Sequence, residues 1–326
     1  MDDRQWERGK SMAILFTDDR FLEHDTGNHP ESAERLRAIH RRLKTSDLLQ
    51  KFSTPSWKPA TTEQIERVHT PQHLDQIRRF AQSGGGRVER DTIMSRRSFD
   101  TALLAAGAAV AAVDHLFTGK HRRAVSLSRP PGHHALKNSA MGFCLFNNVA
   151  VAAAHAMTAQ GVSRILIVDW DVHHGNGTQA LFDADPHVFF FSAHRHPFYP
   201  GTGTADETGS GRGLGTMYNL PLPFGITRAD YHSQFQQVLQ QVARRCRPEL
   251  VLISAGFDAH TADPIGSLGL ESEDFGKLTE HVGGVADEYA EGRLVSLLEG
   301  GYNVDALAES VECHLEALAA ASDEPP

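Results

Sequence analysis

The stretch ILIVDWDVHHGNG, residues 165–177, begins as an apolar run and ends in aspartates, adjacent histidines and glycines. Apolar residues at almost every position are typical of a strand that is covered on both faces of a sheet. Alternate side chains of an extended backbone share a face. We therefore predict that Asp169, Asp171 and His173 point one way and that the apolar residues between them pack on the other side.

The rest of the chain repeats short apolar runs between longer helical segments. Predicted strands lie within 122–128, 163–170, 186–193, 215–222, 248–256 and 292–301. Predicted helices cover 31–44, 71–82, 98–117, 147–160, 228–246, 272–290 and 303–319. This alternation favours an α/β fold with a mainly parallel sheet and helices on both faces. Ligands of such sheets bind beyond the carboxyl ends of the strands.

The 326-residue chain shows no internal repeat and no linker rich in proline, glycine or serine. We therefore predict a single domain over residues 1–326, with 1–12 and 321–326 lacking fixed structure. The glycine-rich stretches 83–86 and 201–215 lie between periodic segments and are predicted to be surface loops.

Composition narrows the classes of function. Hydrophobic residues make up 40% of the chain and charged residues 22%, as in ordinary globular proteins. The net charge of −9 argues against direct nucleic-acid binding, because such proteins concentrate positive charge. We find no apolar run of about 18 residues and no apolar core near the first residues, so we expect neither a membrane span nor a secretory signal. Three widely spaced cysteines favour a reducing cytoplasm.

Polar side chains gather where the predicted strands end. Asp171 and His173 form an Asp-x-His pair, which suits Zn²⁺ or another first-row divalent metal. Asp258 ends another apolar strand in the same layer, and a carboxylate buried there would be costly without a cation. Three protein ligands leave one coordination position open for water, which is typical of a catalytic site.

The adjacent histidines His133 and His134 follow the turn-forming sequence RPPG. Each histidine is expected to have its own partner, with Asp169 free for one and Asn176 for the other. A carboxylate stabilises an imidazolium, whereas an amide mainly orients the ring. One histidine is therefore predicted to favour the charged form and the other to exchange a proton near neutrality.

The segment EGGYN, residues 299–303, ends the last predicted strand. Gly300 and Gly301 permit unusual backbone angles and close approach of neighbouring atoms. They place Tyr302 at the rim of the sheet, where a phenol can donate a hydrogen bond to a developing oxyanion.

These motifs, in this order, closely resemble those of the zinc-dependent histone deacetylase family, which includes acetylpolyamine amidohydrolases and bacterial acetoin-utilisation proteins. The resemblance implies the family's arginase-like, three-layer α/β sandwich. Two features resemble class II members of the family. They are the motif RPPGHH and Asn176, a position at which class I members have Asp. The resemblance spans nearly the whole chain and is carried by NHPESAERLRAI (28–39), RPPGHHA (129–135), GFCLFNN (142–148), VDWDVHHGNGT (168–178), FYPGTG (198–203), AGFDAH (255–260) and LEGGYN (298–303).

The resemblance also implies catalytic roles, with one Zn²⁺ on the three ligands named above. His134 matches the general base and acid, His133 the electrostatic second histidine, and Tyr302 the carbonyl-polarising tyrosine. Asp169 is then the partner of His133, and Asn176 orients His134. The implied reaction is amide hydrolysis, in which His134 takes a proton from the attacking water and a protonated histidine delivers a proton to the departing amine.

Further positions match the acyl-lysine channel of the family. Phe143 and Tyr199 match its two aromatic walls, although family members usually have Phe at the second position. The Gly142 carbonyl is expected to accept a hydrogen bond from the substrate amide. Ile265 and Gly301 are also expected to contact substrate.

The resemblance extends to sites around the channel. Asp169 and Ser192 match side-chain ligands of a structural K⁺ site, and Arg35 resembles the arginine of an internal channel beneath the metal. Glu89 or Asp91 could contact the substrate backbone at the rim, or each could be simply solvated.

Two other classes of protein are disfavoured. Binuclear manganese ureohydrolases share the fold, but their further metal-binding aspartates correspond here to Gly175 and His260. A catalytically dead acyl-lysine-binding module should lack Tyr302 or a metal ligand, and none is missing. His174 has no assigned role and is expected to be structural.

The substrate is expected to be an acylated lysine in a peptide or protein, with acetylpolyamines or other small N-acyl amines as the alternative. Eukaryotic polyamine deacetylases carry Glu where this chain has Ile265, and the bacterial ones have a long loop where residues 83–97 are short. The acyl group, the oligomeric state and the metal loaded in the cell are left open.

Overall fold

The computed structural model describes residues 13–118 and 121–320. Its strands are β1 (Ala13–Phe16), β2 (Phe52–Ser53), β3 (Gly85–Arg87), β4 (Ile93–Ser95), β5 (Arg123–Ser126), β6 (Ile165–Asp169), β7 (Val188–Arg195), β8 (Met217–Leu222), β9 (Leu250–Ala255) and β10 (Leu294–Leu298). Eight of them form one sheet in the order β2-β1-β5-β10-β9-β6-β7-β8. Every neighbouring pair in this sheet is parallel, so all the strands end at the same edge.

Helices cover the sheet as in an arginase-like or deacetylase-like α/β sandwich. Helices α4 and α5 pack together, while α9 packs against both α1 and α8. The helices are α1 (Ala33–Thr45), α2 (Thr62–Glu66), α3 (Pro71–Gln82), α4 (Ser98–Phe117), α5 (Asn148–Ala159), α6 (Asn176–Phe182), α7 (Arg228–Cys246), α8 (Ser272–Tyr289) and α9 (Val304–Ala320).

The central strands are buried along their whole length, which explains why their sequences are apolar rather than alternating. The register sets the position of the polar strand ends. Asp169, the last residue of β6, is opposite Ser192 of β7 and Ser254 of β9.

Helix α4 is long and apolar enough to cross a membrane by length and composition alone, but 67% of its most apolar 18-residue stretch is buried inside the protein. It packs against α5 and β5. A Cβ atom on Gly107 would lie 2.1 Å from the Lys58 carbonyl oxygen, so the small residues of this helix permit close packing against the chain beside it. These contacts are those of a core helix.

The predicted loop at 83–86 is wrong in part. Gly85–Arg87 pairs with Ile93–Ser95 as an antiparallel hairpin, because Gly85 and Gly86 adopt positive φ angles that other residues resist. Residues 201–215 are mostly irregular and contain a short 3-10 turn at Gly211–Gly213. The predictions for 1–12 and 321–326 lie outside the described residues.

Candidate metal centre and active site

Three buried side chains converge at the carboxyl edge of the two central strands. Asp171 and His173 follow β6, and Asp258 follows the neighbouring strand β9. One potential ligand atom from each of the three lies within 4.8 Å of the others. Among the residues that the structure describes, this is the one such group of histidine, cysteine or acidic side chains.

The chemistry of this group fits a divalent cation. Asp258 Oδ1 accepts a hydrogen bond from the Val172 amide at 2.8 Å, while Oδ2 is buried without a hydrogen bond, although His173 Nδ1 lies 3.1 Å away. Burial and the nearby Asp171 carboxylate raise the pKa of Asp258 to about 7. Burial alone would lower the pKa of His173, but the two carboxylates outweigh it and raise the value to about 10. A cation would relieve the repulsion between the carboxylates.

Glycines leave the space that the carboxylates occupy. A Cβ atom on Gly256 would lie 2.2 Å from Asp171 Oδ2, and one on Gly300 would lie 2.3 Å from Asp258 Oδ2. The Gly300 amide also donates to Asp171 Oδ2 at 2.9 Å. The two carboxylates thus pack directly against the backbone of these glycines.

The two histidines of the RPPGHH segment have different partners, although their ring centroids are only 4.0 Å apart. His133 Nδ1 lies 2.9 Å from Asp169 Oδ2. His134 Nδ1 lies 2.7 Å from Asn176 Oδ1, so its N–H donates to the amide oxygen. Asn176 is the first residue of α6, which fixes this contact to the β6–α6 connection.

These partners separate the protonation of the two rings. Burial would lower the pKa of His133, but the carboxylates of Asp169 and Asp171 outweigh burial and raise the pKa well above its ordinary value. Burial and the charges of His133 and His173 lower the pKa of His134 well below its ordinary value. A cationic imidazole therefore lies beside a neutral one.

Tyr302 is placed by the loop that follows β10. Its backbone N–H donates to Asp263 Oδ2 at 2.7 Å, and the Arg35 guanidinium lies 5.2 Å from the centre of its ring. Arg35 Nε also donates to the Gly301 carbonyl at 2.6 Å, and Gly301 has φ of 123°, which favours glycine. Burial, with the charges of Asp258 and Asp171, raises the pKa of Tyr302, so its hydroxyl remains a donor at neutral pH.

A cavity of about 220 Å³ opens onto this group of residues. Phe143 forms one wall and has φ of 70°, a strained conformation for a bulky residue. Its N–H donates to the buried Thr92 hydroxyl at 3.0 Å, which helps to hold this conformation. The cavity is lined by Asp91, His134, Gly142, Phe143, His173, Phe198, Tyr199, Ile265 and Tyr302.

Several predicted channel residues thus share one cavity. Gly142 lies against His134, since a Cβ atom there would be 2.4 Å from the His134 ring, and its carbonyl accepts from Cys144 Sγ at 3.3 Å. Tyr199 is 37% exposed and meets the His134 ring edge-on. Asp91 lines the cavity; Glu89 is partly buried nearby in the sequence.

Asp169, the last residue of β6, is paired with Ser192, which lies within β7. Asp169 Oδ1 accepts from the Asp171 amide at 3.1 Å, and the Ser192 hydroxyl lies 2.9 Å from His194 Nδ1. Both side chains are fully buried. The K⁺ site predicted from the sequence would use the side-chain oxygens of these two residues.

Gly175 and His260, which correspond to the further metal-binding aspartates of ureohydrolases, make other contacts. A Cβ atom on Gly175 would lie 2.2 Å from Asp169 Oδ2. His260 Nδ1 accepts from the Ala262 amide at 3.0 Å, and its Nε2 lies 3.3 Å from the Ser272 hydroxyl. His174 is buried between Thr202 and Gln179, which contact its two ring nitrogens at 2.8 and 3.0 Å.

Sequence reasoning missed several residues that shape the site. Asp263 accepts from the amides of Ile265 and Gly266, at 2.9 Å each, in addition to that of Tyr302. Glu299 Oε2 accepts from the His133 amide at 3.2 Å. The motifs DPIG and LEGGYN contain these acids, but nothing in their spacing shows which amides they bind.

The chain has a parallel sheet with helices on both faces and paired histidines at its carboxyl edge. With the buried Asp-His-Asp group beside them, these features define a class of hydrolases with an arginase-like α/β fold and a site that has the ligands for a metal ion. The chain belongs to the histone deacetylase family, because the histone deacetylase domain matches residues 29–318.

Relatives of known name extend this finding. The chain is 40% identical to "Histone deacetylase-like amidohydrolase" of Pseudomonas aeruginosa, over 84% of this chain and 73% of that protein. It is 42% identical to "Polyamine deacetylase HDAC10" of Homo sapiens, over 92% of this chain but only 46% of that protein. The crystal structure of the HDA15 HD domain superposes with a TM-score of 0.89 at 37% identity, covering 95% of this chain and 90% of that one.

Proposed function

We propose that this protein is a zinc-dependent amidohydrolase that removes acetyl or other acyl groups from the side-chain amine of acyl-lysine. The observation that carries the proposal is the convergence of the Asp171, His173 and Asp258 group, the neutral His134 and Tyr302 on one cavity. Membership of the histone deacetylase family supports a hydrolase of this class.

Asp171, His173 and Asp258 would hold the Zn²⁺. When bound there, the ion would supply Lewis-acid polarisation of the acyl carbonyl and would make the attacking water more acidic. All three side chains are buried, so few solvent molecules compete for their oxygens and nitrogen.

His134 is assigned as the general base and acid. Its Nδ1–H donates to Asn176 Oδ1, so in the neutral ring Nε2 carries the lone pair. With its pKa held low, this nitrogen is free to accept a proton from the attacking water and later to pass one to the departing amine.

His133 and Tyr302 are assigned to charge stabilisation. His133, held by Asp169, places a cationic imidazole beside the reacting group. Tyr302 keeps its proton and lines the cavity, so its hydroxyl can donate to the oxyanion that develops on the acyl carbonyl.

The aromatic cavity favours an acyl-lysine chain as substrate. Phe143 and Tyr199 offer flat apolar walls to its methylenes, and the Gly142 carbonyl can accept from the substrate amide. Ile265 lines the same cavity, where a carboxylate would be needed to bind a distal ammonium. An acetylpolyamine remains the second candidate, because a relative at 42% identity is named a polyamine deacetylase.

Secondary assignments complete the proposal. Asp169 and Ser192 would hold a structural K⁺, with oxygen ligands suited to it. We propose one domain, which one continuous eight-stranded sheet supports. We also propose a cytoplasmic location, which the free, mostly buried cysteines support, although some relatives are named as chloroplastic.

The test is turnover by zinc-loaded protein of acetyl-, longer acyl- and trifluoroacetyl-lysine peptides against N-acetylpolyamines. We expect faster turnover of the lysine peptides, and a loss of about 10²–10³-fold in kcat for Tyr302→Phe. Equal or better turnover of acetylpolyamines would reverse the substrate ranking. Two Mn²⁺ per chain with release of urea would contradict the reaction class.

A further inference from the structure

Four planar side chains stack in a column that runs from the candidate metal centre to the surface. The Phe198 ring lies nearly parallel to the His173 ring, with centroids 5.2 Å apart and an angle of 15°. The Arg195 guanidinium lies 4.2 Å from the centre of the Phe198 ring and 4.4 Å from that of Phe224. His173 is buried, whereas Phe224 is 68% exposed.

Arg195 joins the outer end of this column to a wall of the cavity. Its Nη1 donates to the Gly266 carbonyl at 2.9 Å, directly after the cavity-lining Ile265. Its backbone amide donates to the Val172 carbonyl at 2.9 Å. A guanidinium between two aromatic faces attracts both rings. Phe224 is therefore held beside the cavity wall with its outer face toward solvent.

We propose that the outer face of Phe224 is a subsite for the side chain next to the acyl-lysine of a peptide substrate. Arg195 is the residue that positions it. The inference rests on the proposed function, because the occupant arrives only when acyl-lysine enters the cavity. Continuity of the column with the Phe198 wall points to that occupant. Aromatic side chains are also enriched among the residues that contribute most to binding.

The subsite fits an aromatic or other apolar flanking side chain, which would stack on the exposed ring. A small N-acyl amine that ends at the cavity mouth gains nothing from it. The subsite therefore distinguishes peptide substrates from small ones, independently of the acyl group.

The test compares two acetyl-lysine peptides that differ only in having Trp or Gly directly beside the acetyl-lysine. We expect the zinc-loaded wild-type protein to favour the Trp peptide about three- to tenfold in kcat/KM. Phe224→Ala should bring this ratio close to one. Leu214→Ala is the matched control: Leu214 is 65% exposed and precedes β8, whereas Phe224 follows it, so the two lie at opposite ends of one strand. It should keep the wild-type ratio.

The outcomes separate the two proposals. Turnover of both peptides with no preference in the wild-type protein, or an unchanged preference in Phe224→Ala, overturns the subsite and leaves the deacetylase function standing. A lowered preference in Leu214→Ala also overturns the subsite, since the effect is then not local. No turnover of either peptide or of single acetyl-lysine overturns the proposed function and the subsite with it.

Discussion

Two adjacent histidines differ in what their Nδ1 atoms contact. A carboxylate at His133 and an amide at His134 separate their protonation states, although both rings are buried and nearly touch. The amide matters because a carboxylate in its place would attract a proton to the base. The identity of residue 176 therefore contributes, with burial and the neighbouring histidines, to the pH range in which His134 can accept a proton.

Asn176→Asp tests this point. The new carboxylate should raise the pKa of His134 by about 1–3 units, because an opposite charge favours the imidazolium. Since the base must be neutral to act, the acidic limb of the kcat/KM profile should move to higher pH. The measurement is the pH dependence of acetyl-lysine peptide turnover. An acidic limb that stays in place would show that His134 is not the group titrating in it.

At the scale of single residues, the sequence predicts site residues that lie together within one short motif. Asp171 and His173 share a spacing of two and converge, although β6 ends at Asp169 and the residues beyond it are bent rather than extended. The contact of Asp263 with the Tyr302 amide and that of Glu299 with the His133 amide could not be predicted, because each joins residues that are 39 or more positions apart. Nor does the sequence show that Phe143 adopts a positive φ.

The last residue of β6 and the connection to α6 carry three site residues, Asp169, Asp171 and His173, within the seven positions from Asp169 to Gly175. The chain turns directly from the strand into the helix that begins at Asn176, so its side chains are packed against one another. Gly175 lies in this turn against the Asp169 carboxylate and the Phe190 ring. Space, rather than backbone conformation, requires glycine here.

Gly175→Ala should therefore disturb both stability and activity. Its Cβ would lie 2.2 Å from Asp169 Oδ2, so the carboxylate that holds His133 must shift. We expect a loss of about 1–3 kcal/mol in the free energy of unfolding, as for overpacked cores, measured by denaturant titration, together with lower kcat. Gly284→Ala is the control, because Gly284 is exposed in α8 with no atom within 4 Å of its Cβ position. That change should be neutral or stabilising, and equal losses in both variants would argue against crowding.

The elements that sequence reasoning finds are mostly the longer ones. The seven predicted helices and six predicted strands correspond to α1, α3, α4, α5 and α7–α9 and to β5–β10, with ends that differ by a few residues. The missed elements are short: β1 has four residues, β2 two, and β3 only three, two of which are glycine. Such segments owe their conformation to pairing with other strands, β1 with β5, β2 with β1 and β3 with β4, which no local pattern predicts.

The whole molecule assembles the site from four neighbouring strands. These strands are neighbours in the order β5-β10-β9-β6. His133 and His134 lie in the connection after β5, and Tyr302 lies in the one after β10. Asp258 follows β9, and Asp171 and His173 follow β6. These strands are far apart in sequence, so the site exists only when the parallel sheet is complete. A cation that binds Asp171, His173 and Asp258 would join the loops after β6 and β9 and would bind only the folded chain.

Metal removal should therefore lower the melting temperature in a pH-dependent way. The pKa of Asp258 is raised to about 7 in the fold, above its ordinary value of 3.8, so this group makes the metal-free fold less stable as pH rises between those values. Zn²⁺ removes this penalty and needs deprotonated ligands, and the pKa of His173 is raised to about 10, so its stabilisation should grow from about pH 6 to about pH 10. At a hundredfold excess of Zn²⁺ over its Kd we expect a stabilisation of about 2.7 kcal/mol, or a rise of about 5 °C in melting temperature.

Differential scanning calorimetry of chelator-treated protein, with and without Zn²⁺, measures the shift. Asp258→Asn should abolish most of it, and an equal shift in that variant would place the ion elsewhere.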